Sequence, residues 1–483
     1  MQTEELIQLV HEITRLKTEK QTIELKAANK GCPTRLYDTL SSFSNQDNGG
    51  IIIFGIDESA DYNVAGVYDP QDLQKQVTSQ CNQMEPAVRA LFTVCEIEDK
   101  VVVSAEIPSV DISERPVFYK GAGRIRGAFV RVGDADEHMS EYEIYSYDAF
   151  RKRIKDDLRT VDGARMELIN EERLALWLAR VKAERPNVAN LSTDMIYEMM
   201  GITTQGVPTV AGVLTFFIYP QRYFPQLCIT AVVVPGTEMG DTGDDGERFI
   251  DNKRITGAIP DMLEEAVDFV RRNSRIKTII DDDGQRHDKP EYPVKAVREA
   301  ILNALVHRDY STHTENVPIQ IIMYRDRMEI INSGGLYGRI TIDSLGKVRP
   351  DTRNAQLANM LELLRITENR YSGIPTIMAE FRAAGLPAPI FAARQGQFIV
   401  TFKNNIYQSE VVRSEGNIRE DILEFCSVPR SREELTRFTG MSRYYTMSEI
   451  VLPLVQAGKL KYTLPEKPKS RNQRFVRVTE QKN

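Results

Sequence analysis

The sequence predicts a multi-domain α+β protein, and three observations carry that prediction. The chain has 483 residues, too many for one ordinary hydrophobic core, and about 150 residues per domain gives roughly three domains. Helical and strand periodicities alternate along the chain. Hydrophobic residues make up 41% and charged residues 27% of the chain, which is the balance of an ordinary folded protein.

Charge and cysteine content exclude several classes of protein. A net charge of −7 argues against a chain that binds polyanions over its whole surface, so any nucleic-acid contact must come from local basic patches. The five cysteines and five histidines form no CxxC pair and no zinc spacing. The start is acidic, unlike a signal peptide, and no apolar run reaches the ~20 residues that span a bilayer. We therefore expect a reduced, cytoplasmic protein without a membrane segment.

The order of elements divides the chain into four segments. Residues 1–145 combine a leading helix with a mixed α/β body, and residues 146–285 form a connecting region of helices and strands. Residues 286–405 form a third unit, and residues 416–483 a short C-terminal one. No internal repeat or low-complexity tract interrupts this order.

A short strand and a glycine turn carry the first candidate site. If the segment around Glu24 and Lys26 is a strand, both side chains project from one face, because side chains alternate with period two. The stretch at 47–50, DNGG, has the composition of a tight turn. A buried strand follows and ends at Asp57 and Glu58. From spacing alone, a hairpin turn with an incidental salt bridge is favoured over a functional site.

Three fragments in this order, ELK, SSFSNQDNGGIIIFGIDE and FVRVG, resemble the Schlafen-type AlbA-like domain of bacterial regulators and of the Schlafen ribonuclease core. In the nuclease members two glutamates five apart and a third acid cut RNA with a divalent metal. The resemblance implies these roles for Glu19, Glu24 and Glu58, with Asp57 and Lys26 beside them. Three carboxylates around one point would suit Mg²⁺. Other members only bind nucleic acid, and that alternative stays open.

One departure from the family lies after the FVRVG fragment. The family continues with small, hydroxylated or basic residues, whereas this chain reads DADEHMSE. We expect these acids to repel a phosphate backbone that comes close. Candidate residues for backbone contact are Arg124, Arg126 and Arg131.

The second candidate site lies on the stretch VKAVREAILNALVHRDYS. Glu299, Asn303 and His307 are spaced four apart, which places them along one side of a helix. Apolar residues cover most of the other sides, so the helix is predicted to be largely buried. An unpaired polar group there costs about 1–3 kcal/mol. Either a ligand or a neighbouring loop could satisfy this row.

This stretch resembles the N-box helix of the GHKL ATPases, which have a Bergerat-type α/β sandwich. The resemblance implies that Glu299 holds a water and Asn303 the Mg²⁺ that bridges the phosphates of ATP, with His307 on the same side. A predicted hairpin ends in NSGG at 332–335, where the family has its glycine-containing adenine box. Asn332 replaces the usual aspartate there, and its carbonyl can accept the same hydrogen bond. Gly334 and Gly335 complete this implied site.

The stretch from Arg349 to Ile374 resembles the GHKL variant found beside AlbA-like domains. Arg353 and Asn354 are implied to bind the cofactor. Only Gly373 remains of a phosphate loop that is normally richer in glycine, which weakens hydrolysis more than binding. No Walker A sequence is present, which argues against a P-loop ATPase. The connecting region follows the order of elements of the same bacterial family, so the resemblance covers nearly the whole chain.

The C-terminal segment is predicted to be a winged helix-turn-helix. Ser431 with Glu434, and Thr446 with Glu449, have the spacing of a capping box. Pro453 is expected to kink the recognition helix. The predicted wing is the most basic patch of the chain and suits phosphate contacts. Its basic residues are Lys461, Lys467, Lys469, Arg471 and Arg474. A winged helix that serves protein contacts or dimerisation is the alternative.

These features predict a nucleotide-responsive nucleic-acid-binding protein, most simply a transcriptional regulator of this bacterial family. ATP and Mg²⁺ would favour one conformational or dimeric state over another, so we expect a homo-oligomer, a dimer. The rival hypothesis is a metal-dependent ribonuclease under nucleotide control, such as a defence effector. A third is a protein-interaction scaffold with a degenerate nucleotide pocket.

Overall fold

The computed structural model describes most of the chain. The described residues are 1–18, 20–243, 245–280, 286–367, 372–394, 396–404, 419, 421–439, 445–464 and 473–478. Four residues named above lie outside these ranges, and they are Glu19, Lys467, Lys469 and Arg471. Within the described ranges, no helix combines the length and apolar composition that crossing a bilayer requires.

The N-terminal region is a four-stranded sheet with helices on both faces. Its strands, in spatial order, are Ile23–Lys26, Gly50–Phe54, Lys100–Ile107 and Leu91–Ile97. The first two strands are parallel and the other pairs are antiparallel. The helix Thr3–Leu16 packs its apolar side on one face. The helices Tyr37–Asn45 and Pro70–Asn82 contribute to the core on the other face.

Short elements complete this region. They are the strands Ile56–Asp57, Asn63–Val64, Met84–Glu85, Phe118–Tyr119, Phe129–Val132 and Ala135–His138, the 3₁₀ helix Glu58–Ala60 and the helix Gly123–Gly127. The strands Phe129–Val132 and Ala135–His138 form a hairpin.

The DNGG turn connects a helix to a strand, so it is not the hairpin that its composition allowed. Gly49 has φ +64°, and a Cβ there would lie 2.3 Å from the carbonyl oxygen of Ile107. A Cβ on Gly50 would lie 2.3 Å from the ring of Phe43. These glycines therefore let the buried strand pass close to its neighbours, and no ligand is needed to explain them.

The helix Glu141–Arg151, called the bridging helix below, leads into the second body of the protein. It begins with a capping box in which the Ser140 hydroxyl accepts from the backbone of Glu143, and the Glu143 carboxylate accepts from the backbone of Ser140. The hydroxyl of Tyr142 then reaches Asp309, 167 residues further along the chain. The bridging helix thus joins the N-terminal region to the body that holds the second candidate site.

The second body is built on a six-stranded mixed sheet. Its strands, in spatial order, are Asp251–Ile255, Ile229–Val233, Ile319–Met323, Arg327–Ser333, Gln397–Lys403 and Ile390–Arg394. Ile229–Val233 pairs in parallel with Ile319–Met323. One hydrophobic core includes residues from Val161 to Phe402, so the sheet and its core cross the boundary placed at residue 285.

Helices and short elements surround this sheet. The helices are Glu171–Glu184, Thr193–Met199, Val210–Phe216, Ile259–Asn273, Val294–His307, Ala355–Leu363 and Gly373–Ala384. The 3₁₀ helices are Asp156–Leu158, Met166–Leu168, Pro186–Val188, Pro220–Arg222 and Ile342–Ser344. Two short strand pairs also occur, Thr203–Thr204 with Val207–Pro208 and Ile276–Ile280 with Arg286–Pro290. Val294–His307, called the cavity helix below, packs against Ile259–Asn273 and Gly373–Ala384.

The C-terminal unit is small and mixed. Its elements are the helices Arg432–Thr439 and Leu452–Gln456, the π-helix Thr446–Val451 and a three-stranded sheet of Arg430–Ser431, Arg474–Arg477 and Leu460–Tyr462. The capping box of Ser431 and Glu434 is present. Thr446 instead bonds the hydroxyl of Thr439 at 2.7 Å. The α-helix resumes at Leu452, with Pro453 in its first turn, where a missing N–H is tolerated. The mixed α+β, multi-domain class predicted from sequence is confirmed.

Candidate functional site

A cavity of about 540 Å³ lies between the cavity helix, the six-stranded sheet and the segment from 334 to 377. This volume is in the range of sites for small molecules and cofactors. Most of the implied ATP residues line it, namely Glu299, Asn303, His307, Asn332, Gly334, Gly335, Arg353 and Gly373. These residues are close together although they come from four separate parts of the chain.

The polar row of the cavity helix faces this cavity. Glu299, Asn303 and His307 all line it, as their spacing of four predicts. The apolar residues on the other sides, such as Ile301 and Leu305, are buried in the core. The helix therefore presents one polar strip to a cavity and its remaining surface to protein.

Gly373 lies against the amide of Asn303. A Cβ at position 373 would be 2.8 Å from Nδ2 of Asn303, so only glycine allows this approach without a shift of the amide. The helix Gly373–Ala384 begins here. The N–H groups of Gly373 and Ile374 have no partner within the helix, whereas Pro375 has no N–H. The helix N-terminus also carries partial positive charge, which favours anions. Residues 368–371, which precede it, lie outside the described residues.

Asn332 stands at the end of the strand Arg327–Ser333 and pairs in register with Phe398. The residue is 4% exposed, and its Oδ1 has no hydrogen-bond partner among the described residues. Gly334 follows with φ +100°, and a Cβ there would lie 2.9 Å from the backbone N of Asp309. The chain thus turns tightly beside a buried amide whose oxygen accepts no hydrogen bond from the described residues.

Arg353 is held in the cavity wall by a buried ion pair. Its Nη1 lies 2.8 Å from Oδ2 of Asp309, with side chains 6% and 2% exposed, and its guanidinium lies 5.0 Å from the ring centroid of Tyr337. Tyr142 of the bridging helix donates to the same carboxylate oxygen at 2.9 Å. Burial, and then the Asp309 carboxylate, raise the pKa of Tyr142 well above its usual value, so the phenol stays a donor.

Asn354 differs from the sequence-based expectation. It is fully buried, and its Nδ2 donates to the carbonyl oxygens of Val306 and Arg308 at 2.8 Å each. Asn354 is not among the residues that line the cavity. Its amide binds carbonyls at the C-terminal end of the cavity helix, which have no partner within the helix. The residue implied as a cofactor ligand therefore stabilises a helix end.

His307 has an altered acidity. Desolvation, and then the nearby Arg353 cation, lower the pKa of His307 to about 4. The residue is nevertheless exposed, and it is one of those that line the cavity. The imidazole is therefore neutral at pH 7 and faces the cavity as a hydrogen-bonding group rather than as a cation.

Sequence reasoning missed three basic residues that line the cavity, and they are Lys295, Arg298 and Arg365. Lys295 extends the row of Glu299 by one helical turn, so the same spacing rule could have found it. Arg365 follows the helix Ala355–Leu363 with φ +60° and is exposed. No local signal in the sequence predicts that a chain reversal brings this residue to the cavity.

The N-terminal acids have a different environment. Arg131, with a side chain 1% exposed, lies 2.8 Å from Glu24 and 2.9 Å from Asp136. Thr39 and Ser42 each donate to Asp136 at 2.6 Å. We call these five residues the N-terminal polar cluster. Arg131 was expected to contact nucleic acid and Asp136 to repel it, but the structure joins a buried Arg131 and a half-buried Asp136 in one ion-pair network.

The remaining predicted nuclease residues do not form a metal site with Glu24 in the described part of the chain. Lys26 forms an ion pair with Glu24, which confirms that both project from one face. Asp57 accepts from Ser59 at 2.6 Å and Glu58 from Tyr62 at 3.3 Å, both near the surface. The described residues include no group of three or more acids, histidines or cysteines that could hold a metal ion.

The other basic candidates are dispersed. Arg124 and Arg126 lie on the short helix Gly123–Gly127. Arg124 pairs with Asp148 at 2.6 Å, whereas Arg126 is exposed. Lys461 and Arg474 are exposed on neighbouring strands of the C-terminal sheet. Their surface positions leave nucleic-acid contact possible, and that role stays a prediction.

Comparison with family models identifies two domains. Residues 19–140 match the model described as Schlafen, AlbA_2. Residues 316–402 match the model described as Putative ATP-dependent DNA helicase recG C-terminal. The expected pairing of an AlbA-like domain with an ATPase-like domain is therefore confirmed.

Solved structures add two similar chains. The DIP2311 protein from Corynebacterium diphtheriae is 17% identical, with a TM-score of 0.40 over 94% of this chain and 93% of that chain. The N-terminal domain of a putative ATP-dependent DNA helicase RecG-related protein from Nitrosomonas europaea is 25% identical, with a TM-score of 0.23 over 28% of this chain and 92% of that chain. A search of the curated proteins found no match.

Proposed function

We propose that this chain, which carries an AlbA-like and an ATPase-like domain, is a nucleic-acid-binding protein that responds to ATP, and that it regulates transcription. The observation that carries the proposal is the convergence of Glu299, Asn303 and Asn332 on one cavity of about 540 Å³. These residues come from a helix and a strand end whose other surfaces are buried in the core. The buried oxygen of Asn332 has no donor among the described residues, and a nucleotide in the cavity would supply a partner for that amide.

The residues around the cavity suit Mg²⁺ and ATP chemically. Glu299 and Asn303 offer carboxylate and amide oxygens, the hard donors that Mg²⁺ prefers. Bound Mg²⁺ would neutralise phosphate charge. The helix that begins at Gly373 presents N–H groups, and Lys295 and Arg365 add positive charge to the wall. Asn332 lies beside apolar wall residues, where a purine base would pack.

Contacts join the cavity wall to the bridging helix and to the N-terminal region, and through them bound ATP would affect nucleic-acid binding. Arg353 and Tyr142 share the Asp309 carboxylate. Phe150 of the bridging helix packs edge-on against Tyr337 at a centroid distance of 5.5 Å. Asp111 pairs with Arg339 at 3.2 Å. A nucleotide that interacts differently with two arrangements of these contacts would shift the population between them.

The nucleic-acid surfaces of the proposal are the AlbA-like domain and the C-terminal unit. The C-terminal unit has a helix pair and a three-stranded sheet, the components of a winged helix. Lys461 and Arg474 are exposed on that sheet, and Arg126 is exposed on the AlbA-like domain. Basic side chains in these positions would contact phosphates, and their contribution would fall as salt rises.

A retention assay tests the proposal directly. Purified protein would be incubated with labelled duplex DNA and with tRNA, each with and without Mg·ATP, at two salt concentrations. We expect retention without cleavage, sensitivity to salt and a shift in affinity when Mg·ATP is added. Asn303→Ala should abolish the Mg·ATP shift and leave nucleotide-free retention unchanged. Cleavage of tRNA that requires Glu24 would support the ribonuclease instead, and no retention and no ATP binding would support the scaffold.

A further inference from the structure

The cavity presents an amide, at Asn332, where a base would be recognised. We propose that the cavity accepts purine nucleotides with a 6-oxo group as well as those with a 6-amino group. This inference rests on the proposed function, because it requires a purine nucleotide in the cavity. It deepens that proposal by naming the class of base.

The position of Asn332 makes it the residue that would contact a base edge. It lines the cavity at the end of a strand, with Ile330 and Phe398 as apolar neighbours in the wall. Strand pairing with Phe398 fixes its backbone. The residue is 4% exposed, so little bulk water reaches its amide. A ligand in the cavity is therefore the group best placed to bond it.

The orientation of the Asn332 amide is not fixed by a hydrogen bond to its oxygen. Oδ1 has no hydrogen-bond donor among the described residues. A buried amide is usually fixed by bonds at both its oxygen and its nitrogen, and the orientation follows from those partners. Half a turn of this amide would therefore break no protein hydrogen bond at Oδ1. The bound base can determine which end of the amide faces it.

The two classes of purine present opposite patterns at ring positions 1 and 6. Adenine has an acceptor at N1 and an amino donor at C6, whereas hypoxanthine has an N1–H donor and a carbonyl acceptor at C6. An amide carries one acceptor and one donor group, so it can pair with either pattern after half a turn. The test concerns the contact with the group at C6 alone. In that contact an ionised carboxylate only accepts, so it would pair with the adenine amino group and repel the hypoxanthine carbonyl, whereas the amide can accept from the one or donate to the other. An asparagine at position 332 therefore makes the site permissive.

Calorimetric titration of the full chain with Mg·ATP and with Mg·ITP tests the inference. Inosine has no 2-amino group, so the two bases differ only at C6 and in the proton on N1. We expect the two dissociation constants of the wild-type protein to agree within about tenfold. Asn332→Asp should weaken ITP relative to ATP by about tenfold to a hundredfold, since a buried acceptor would then face another acceptor. Asn252→Asp, an exposed position on an edge strand, adds the same charge and should leave the ratio unchanged.

The outcomes separate this inference from the proposal beneath it. Wild-type protein that binds ATP but binds ITP at least tenfold more weakly would overturn the base inference and leave ATP binding standing. An Asn332→Asp variant that folds with an unchanged ratio would also overturn it. Failure of the wild-type protein to bind either nucleotide would overturn both proposals. The wild-type comparison decides the question even if the variant does not fold.

Discussion

The cavity and the N-terminal polar cluster contain similar side chains in opposite situations. In the N-terminal polar cluster, the buried guanidinium of Arg131 lies within 2.9 Å of two carboxylates, and hydroxyls complete the network. In the cavity, the buried oxygen of Asn332 has no donor among the described residues, and about 540 Å³ of space lies beside it. The carboxylates of the N-terminal polar cluster have partners within the protein, although Nε of Arg131 has none among the described residues. The Asn332 oxygen instead belongs to a residue that lines a cavity.

This difference shows how polar residues on apolar elements can be sorted. A buried polar group needs a partner, because leaving it unpaired costs about 1–3 kcal/mol. Where the partners are other side chains, the group stabilises the fold. Where a polar group faces a cavity without a partner, a ligand is the expected partner. The following predictions test whether each region belongs to the class assigned to it.

The largest effect is expected at Arg131. Arg131→Ala would leave the largely buried carboxylate of Asp136 without its cation and Glu24 with Lys26 alone, so we expect the free energy of unfolding to fall by about 3 kcal/mol. Urea denaturation followed by circular dichroism measures this change. Arg126→Ala, at an exposed position of the same domain, should change stability by about 0.5 kcal/mol or less.

A different result at Arg131 would reverse the assignment of this region. If Arg131→Ala kept the stability of the wild-type protein but lost nucleic-acid retention, the arginine would act as a ligand-binding residue. The N-terminal polar cluster would then be a ligand-binding site, as the cavity is proposed to be.

The next effect compares two asparagines, one on each side of the cavity wall. Asn303→Ala should weaken Mg·ATP binding by about tenfold to a hundredfold, because it removes an oxygen donor from the cavity. Asn354→Ala should instead lower the free energy of unfolding by about 1–3 kcal/mol, since the carbonyls of Val306 and Arg308 lose their donor. Calorimetry and urea denaturation of both variants separate the two roles. Loss of ATP binding in folded Asn354→Ala, with normal binding in Asn303→Ala, would contradict both assignments.

The sequence predicted those features that depend on local spacing. Glu299, Asn303 and His307 face one cavity because the helical period alone sets their direction. In the same way, Glu24 and Lys26 project from one face of their strand because side chains alternate with a period of two. In each case the relevant neighbours lie within one element.

Features that depend on distant contacts could not be predicted in this way. The partner of Glu24 is Arg131, more than a hundred residues away, and the sequence marks neither as buried. Asn354 looks like a ligand in sequence, but its direction is set by the end of the cavity helix. The wall position of Arg365 depends on a chain reversal at φ +60°. Ion pairs between distant residues and reversals of the chain are set by the assembled fold.

A smaller effect is expected at the contact between the two bodies. Tyr142→Phe removes only the hydroxyl that donates to Asp309. We expect it to reduce the coupling between Mg·ATP and nucleic-acid affinity by about 1 kcal/mol, measured as the ratio of dissociation constants with and without Mg·ATP. Tyr145→Phe is the matched control on the same helix, because its hydroxyl donates to Asp156 at 2.7 Å. Equal effects of the two variants would show that the Asp309 contact carries no special coupling.

A further effect concerns pH. The folded-state pKa of His307 is lowered to about 4 from 6.5 by desolvation and then by Arg353, so the folded protein binds fewer protons than the unfolded chain between these values. Stability from this residue is fully present above pH 6.5 and falls as the pH drops toward 4. In His307→Asn, urea denaturation should show a smaller loss of stability between pH 7 and pH 5 than in the wild-type protein. An identical pH dependence would show that folding does not lower the pKa of His307.

Hydrogen–deuterium exchange with and without Mg·ATP tests the central claim most directly, namely that the polar groups around the cavity are completed by a nucleotide. The account predicts slower exchange in the cavity helix, at residues 332–335 and at the start of the helix Gly373–Ala384, with little change around Glu24 and Arg131. Saturating Mg·ATP that leaves exchange at the cavity unchanged, or that protects only the N-terminal polar cluster, would contradict it.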